Sequence, residues 1–535
     1  MNFDLLSPLD HGWIPVVTAL APATLMSVAA WCATRPRLSV AQAWRCFSLL
    51  AYAALLCAAL TLVWHLACGG GAASGPRPPR LPGIALLPLG AWVALLVQFL
   101  GTVIGAFSAR YLEGEARQQH YIVYLSLTLA CVQLLLLADH WLLLIGAWAG
   151  AAAALHRLLC FYPERAFAQL AAHKKRLADR AADLALLGAA ALIWPQLGSG
   201  SLSALARHVG HGPIPLSLQL GAALLALAVL LRTAVFPVHG WLIQVMEAPT
   251  PVSALLHAGV VNLGGYVLIR FAPLLQASPA ARALLVAAGL GTAVLAGMVS
   301  LTRISIKVRL AWSTVAQMGF MVLECGLGLY TLAALHLLGH SLYKAQAFLT
   351  SGGAVRATRQ RAMLDAPPRG AASIVAAPWV AAAVLSLEQH LLARAAWPWW
   401  WIGVLALAWA PLLWLPGRNT RPAAVRAWQA GVGMIVLSLL GLLAQLTHAL
   451  ALGVRDQPWQ AVGPLVLAGM AALYLALATL QLRPPLLSSW RRWSYAGFYV
   501  DEIYTRAALR LWPTHWGTAP RRRAPDFTRP RHELP

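Results

Sequence analysis

The stretch LHLLGHSLYKAQAFL, residues 335–349, sets His336, His340 and Lys344 at four-residue steps in an otherwise apolar run. On a helix such steps keep the three side chains on one face, about 6 Å apart in rise. The surrounding segment, 331–352, has the length that crosses a bilayer core. Ionisable groups inside such a span are costly and default to a functional reading. Histidine titrates near neutral pH, and a row of titratable groups can pass a proton stepwise. The competing reading is three polar side chains hydrogen-bonded within a helix bundle. Zinc binding by the His336/His340 pair is a weaker rival, because no glutamate stands between them and no third ligand is evident. No metal site is expected in the chain.

The rest of the sequence has the same character. Of its 535 residues 60% are hydrophobic and 11% charged, with a mean hydropathy of +0.67; soluble domains carry about 25% charged residues. About fifteen candidate spans can be placed, near 13–33, 46–68, 83–107, 119–138, 141–162, 181–198, 216–247, 251–272, 283–302, 310–327, 331–352, 371–392, 398–416, 427–451 and 460–482. The seventh is overlong and interrupted at Pro237. The chain is thus read as an all-α polytopic membrane protein. The seven cysteines form no CxxC or Cys/His pattern and read as small hydrophobes. Met1–Gly12 has no basic leader pattern, so no removable signal peptide is expected.

The formal charge of +23 comes from 40 basic against 17 acidic residues. With the N-terminus outside, thirty of the 40 fall in inside segments and the tail. Seven fall outside (Arg77, Arg80, Arg207, Arg270, Arg282, Arg394, Arg455), and Arg157, Arg232 and Lys344 lie within spans. Cytoplasmic loops carry such an excess, so the topology reads N-terminus periplasmic and C-terminus cytoplasmic, in a cell inner membrane. The charge then orients the chain in its lipid bilayer, and no nucleic-acid partner is expected. Just four of the basic residues are lysine: Lys174 and Lys175 in an inside loop, Lys307 and Lys344 at or inside spans. The last stretch, Ala519–Pro535, is rich in Pro and Arg and is expected to be disordered, available to lipid headgroups or a partner.

Three further places put polar groups where lipid is expected. In 230–270, Pro237 removes a backbone donor and breaks a helix, as transporters tolerate where backbone lines an ion path. Arg232 precedes the break, His257 lies in the next span, and Glu247 with Pro249–Pro251 joins the two. In TRISIKVRLAWSTVAQMGF, 302–320, Lys307 opens a span holding Ser313, Thr314 and Gln317; it is either an inside-loop positive or a path lysine. Arg180 and Asp183, three residues apart at the start of a span, read as an ion pair facing the bundle.

These residues resemble the antiporter-like membrane subunits shared by respiratory complex I and Mrp-type cation/proton antiporters. The pieces are MEAPTPVSALLHA (246–258), WSTVAQMGF (312–320) and HLLGHSLYKAQAFLTSGG (336–353), within a resemblance running from about 100 to 360. It implies paired inverted five-helix repeats with broken helices. The organisation is then 1–110 for the first three spans, 111–275 for a first repeat broken at Pro237 and 276–416 for a second. C-terminal spans over 417–482 and a basic tail over 483–535 complete it. The resemblance also implies a proton or cation path through His257, Lys307, His336, His340 and Lys344. Arg180, Asp183, Arg232 and Glu247 serve as a charge pair and field. Two departures stand out: Ala149, after Trp148, replaces the family's glutamate, and Arg232 replaces its broken-helix lysine. No second lysine channel is evident after 353, and Glu388 and His390 are the candidate substitutes.

FSARYLEGE (107–115), LHRLLCFYPER (155–165), HAGVVNLGGYVLIR (257–270) and YAGFYVDEIYTR (495–506) are similar to one branch, the DabB-type subunits of DAB inorganic carbon accumulation complexes. That resemblance implies a large cytoplasmic DabA-like partner holding zinc, with no cofactor in this chain. It implies a conducting subunit and not an enzyme: flow of protons or Na+ through it drives CO2 hydration in the partner. The alternatives are a proton-pumping subunit L of complex I, an Mrp-type Na+/H+ antiporter subunit, or an inert membrane anchor.

Overall fold

Inside a bilayer every backbone N–H and C=O must be satisfied within the chain, and the apolar runs do this as helices. The computed structural model describes residues 10–67, 81–210, 213–353, 369–392, 397–417 and 420–513. Its first helices are α1 (Asp10–Ala33), α2 (Val40–Ala67), α3 (Pro88–Tyr111), α4 (Gln118–Leu137), α5 (Trp141–Leu159), α6 (Ala166–Leu197), α7 (Leu202–Val209) and α8 (Leu216–Arg232). The middle holds α9 (Gly240–Gln244), α10 (Thr250–Ala258), α11 (Leu263–Arg270), α12 (Ala272–Gln276), α13 (Pro279–Leu301), α14 (Ile306–Leu327) and α15 (Tyr330–Leu349). The C-terminal part holds α16 (Ala371–Leu392), α17 (Trp399–Trp409), α18 (Ala423–Thr447), α19 (Gly463–Leu482), α20 (Ser488–Tyr495) and α21 (Val500–Leu511). Extended pairing among the described residues is confined to three isolated bridges.

Eleven of the described helical segments are long and apolar enough to cross a membrane. Neither α6 nor α15 is among them, and α8, at 17 residues, is one of two shorter apolar helices; α6, α8 and α15 are helices whose polar residues concern function. The expected interruption at Pro237 is present: α8 ends at Arg232 and helix resumes at Gly240. The next span is also broken, between α10 and α11, two residues after His257. The span placed at 181–198 begins fifteen residues earlier, at Ala166, because Lys174, Lys175 and Asp179 continue the helix instead of forming a loop. The span placed at 427–451 closes at Thr447. Within the region read as a basic tail, α20 and α21 are helical, and the remainder from 514 on lies outside the described residues. So do the inside positives between 354 and 368, together with Arg77, Arg80 and Arg394.

Two apolar clusters form the core. The larger joins α1 through α15; the smaller joins α16 to α19 with one edge of α13 to α15. With lipid as apolar as leucine, helices associate through close packing of small residues. Helices α13 and α14 do this at Gly289, Gly319 and Gly326, where a methyl on Gly289 would sit 2.7 Å from the Gly319 carbonyl oxygen. Gly328, at φ 82°, turns α14 back into α15, a left-handed position that suits glycine. The last carbonyls of α14 are capped by Arg282, which donates to Gly326 O and Leu327 O at 3.0 Å. Arg270 likewise pairs with Asp139 at 2.9 Å. These two arginines, which the sequence reading placed outside, therefore hold structure as well as charge.

Candidate functional site

Helix α15 brings His336, His340 and Lys344 to one side, as the four-residue spacing requires. Lys344 is 1% exposed; its Nζ donates to Leu310 O at 3.0 Å and to Ser313 Oγ, both on α14. Next along the row, the rings of His340 and His336 are 5.9 Å apart, edge to face. His257 comes from α10, fully buried and stacked at 4.5 Å on Phe348 of α15. Neither ring nitrogen of His257 or of His340 has a protein hydrogen-bond partner. His257, Lys344 and His336 all lie within electrostatic reach of His340. The break after His257 is held to the row, because Asn262 donates to Ser341 Oγ at 2.7 Å.

The row ends on a residue that the sequence reading overlooked. Glu324 of α14, 4% exposed, accepts from His336 Nδ1 at 2.8 Å. With Glu324 as the carboxylate, the hydrogen of this bond belongs to His336 Nδ1. The available signal was plain: an acidic residue inside an apolar span. Glu324 and His336 also line a cavity of about 490 Å³ with Gln317, Phe320 and Trp401. Lys307 stands apart, half-buried at the start of α14, with Nζ donating to Thr250 Oγ1 at 2.9 Å.

The first break carries a second charged group, arranged differently from expectation. Asp183 pairs with Arg232 of α8, while Arg180 on α6 is exposed. Residues three apart lie only about 60° apart around a helix, so Arg180 stays within electrostatic reach of Asp183, but the ion pair is made with the buried Arg232 instead. Arg232 also lies over the Trp148 ring at 4.5 Å, beside Ala149. Lys175, buried on the same helix, donates to Asp179 at 2.5 Å. Thr233, just past Arg232, packs directly on Gly264 of α11, where a methyl would meet Thr233 Cγ2 at 2.2 Å. The two broken helices therefore touch.

Glu247 does not supply a buried field. Its side chain is exposed, and the connection is held by its carbonyl, which accepts from Arg165 at 2.7 Å. Glu388 and His390 lie on α16, away from the α15 row. Glu388 packs against Gly441 of α18, and His390 is exposed. The pair Lys174 and Asp501 was also not anticipated. Lys174, fully buried, binds Asp501 Oδ1 at 2.6 Å and Thr505 Oγ1 at 2.9 Å on α21, while Gln244 of α9 donates to Asp501 Oδ2 at 3.0 Å. This contact docks the terminal VDEIYTR segment against the first break. Among the described residues no group of three His, Cys, Asp or Glu side chains could hold a metal ion.

Comparison with known proteins defines the class and then the branch. The family model for the membrane domain of NADH:quinone oxidoreductase and Mrp antiporters matches residues 138–367. A solved Mrp complex from Dietzia sp. DQ12-45-1b has the same fold, with a TM-score of 0.58 at 24% identity over 92% of this chain. The chain spans 60% of that solved chain's length. Subunit L of the NADH-quinone oxidoreductase of Mycobacterium tuberculosis is 32% identical, over 52% of this chain and 44% of its own. The probable inorganic carbon transporter subunit DabB of Hydrogenovibrio crunogenus is 39% identical, over 78% of this chain and 81% of its own. The chain belongs to this DabB family of multi-pass, antiporter-like membrane subunits.

Proposed function

We propose that this chain is the proton-conducting membrane subunit of an inorganic carbon accumulation complex. The observation that carries the reading is the buried row of His257, Lys344, His340, His336 and Glu324 in an antiporter fold. The breadth of similarity to a DabB relative favours carbon accumulation over the complex I and Mrp alternatives, where similarity to subunit L stops near half the chain. A proton on this row has donors and acceptors at each step: the Lys344 ammonium, three imidazoles and the Glu324 carboxylate. Water bridging the free nitrogens of His257 and His340 completes the hops. Lys307, hydrogen-bonded at the start of α14, is the entry group nearest the loop.

The subunit works with a DabA-like cytoplasmic partner holding the zinc, which lowers the pKa of bound water for CO2 hydration. This chain holds no cofactor and performs no catalysis; it supplies the driving force, about 2.3 kcal/mol per charge per 100 mV. Fifteen spans place the N-terminus in the periplasm and the C-terminus in the cytoplasm of the inner membrane. Spans over 1–110 precede repeats at 111–275 and 276–416, and further spans at 417–482 lead to the tail. The test is proton uptake by proteoliposomes containing the intact complex, with carbon uptake in cells beside it. Lys344→Ala is expected to stop both, and wild-type rates in that variant would refute the relay.

A further inference from the structure

Arg232 closes α8 at the first break with its side chain 3% exposed. One amine reaches Asp183, while Nε and Nη1 have no protein hydrogen-bond partner. A guanidinium keeps its proton essentially always. This position therefore fixes a positive charge and cannot relay one, and any proton crossing the first repeat needs other carriers.

Helix α6 supplies them. Asp183 contacts Arg232, Asp179 lies within electrostatic reach of it, and Lys175 donates to Asp179 Oδ2 at 2.5 Å. Lys175, Asp179 and Asp183 follow one another at four-residue steps, so they line one helix face over a rise of about 12 Å. All three are mostly buried, with side chains 5%, 12% and 21% exposed. Lys175 is further covered by the Trp241 ring at 5.3 Å. His156 of α5 and Arg176 bear on the Lys175 end, and Arg180 on the Asp183 end. Two cations and two carboxylates leave the row neutral. One added proton gives it a single positive charge, which the fixed charge of Arg232 repels.

We propose that Lys175, Asp179 and Asp183 form the titratable arm of a second proton path, entered along α6 and bounded by Arg232 as a fixed counter-charge. The inference rests on the proton-conducting reading above. In the step, Lys175 Nζ gives a proton to Asp179 Oδ2 along their hydrogen bond, leaving an amine and a carboxylic acid. Asp179 passes the proton through water to Asp183, and Lys175 is reprotonated from the N-terminal side of α6. The positive charge of Arg232 favours the Asp183 carboxylate, so Asp183 releases the proton to water at the first break and returns to the ionised form.

A static ion-pair network would have the same geometry, so the test separates charge from titration. The intact complex is reconstituted in proteoliposomes with an internal pH dye, and proton uptake is driven by an imposed potential. Lys175→Arg keeps the cation but cannot deprotonate, and Asp179→Asn keeps the shape but not the acid. Each is expected to lower flux at least about tenfold, with thermal melting close to wild type. Asp179→Glu, which restores the acid, is expected to recover most of the flux. Wild-type flux in both Lys175→Arg and Asp179→Asn, with Lys344→Ala inactive, would overturn this path and leave the proposed function standing. Equal flux in Lys344→Ala and wild type would instead remove the proposed function, and this path with it.

Discussion

A titratable side chain far from water needs a partner for its proton, and the partners here sort the roles. Glu324 is the fixed end of the α15 row because it holds His336 at 2.8 Å. Glu324→Gln keeps an acceptor but not the charge. It is expected to cut proton flux by about a hundredfold, the scale of losing one placed proton-transfer group. Flux within a factor of about two of wild type would show that the carboxylate is only a hydrogen-bond acceptor. His336, His340 and Lys344 were legible because their spacing is a helical period. Glu324 is one acidic residue among apolar neighbours, and its meaning came from the helix packed against it. The Arg180–Asp183 pair was misread for the same reason: three-residue spacing allows a contact, and packing gave Asp183 a better one in Arg232.

At the scale of elements, the terminal helix α21 is held by one buried ion pair. Lys174 is fully buried, so removing its counter-charge leaves an ammonium uncompensated. Asp501→Ala is expected to cost about 3 kcal/mol, the low end for such a break because Asp501 is 25% exposed. Protease cleavage at α21 in the intact complex would report the loss, and unchanged cleavage kinetics would show that α21 is held elsewhere. Gly240→Ala should release it too, since a methyl there would lie 1.3 Å from Asp501 Oδ1.

The segment after α18 offers a pH test. His448, just beyond Thr447, is raised above its ordinary value. Burial alone would lower it, but hydrogen bonds to Asp456 and the Ala444 carbonyl outweigh that cost. Asp456 also accepts from Thr331 N at the start of α15, at 2.7 Å. A group raised in the folded state adds stability that is complete below its unfolded value and lost as pH rises through its folded value. Amide exchange in 449–459 should therefore quicken as pH climbs above neutrality, once corrected for intrinsic chemistry. His448→Gln should remove that dependence, and an identical profile in the variant would refute the assignment.

For the whole molecule, the proposed division of labour predicts a zinc-containing protein that co-purifies with this chain. Metal analysis after separating the two should place the zinc in the partner; zinc remaining with this chain, or a set of redox subunits in its place, would refute the assignment. The sequence by itself determined the membrane class, most helix positions and the α15 row, because hydropathy and the helical period are local properties. It also showed where the usual lysine had become Arg232. Only the tertiary structure decided which charges meet. The buried continuation of α6, the second break after His257, the Glu324 terminus and the docking of α21 all depend on neighbours distant in the chain. In a low-dielectric interior, a charge is assigned by the partner that packing brings to it, and no local pattern records that partner.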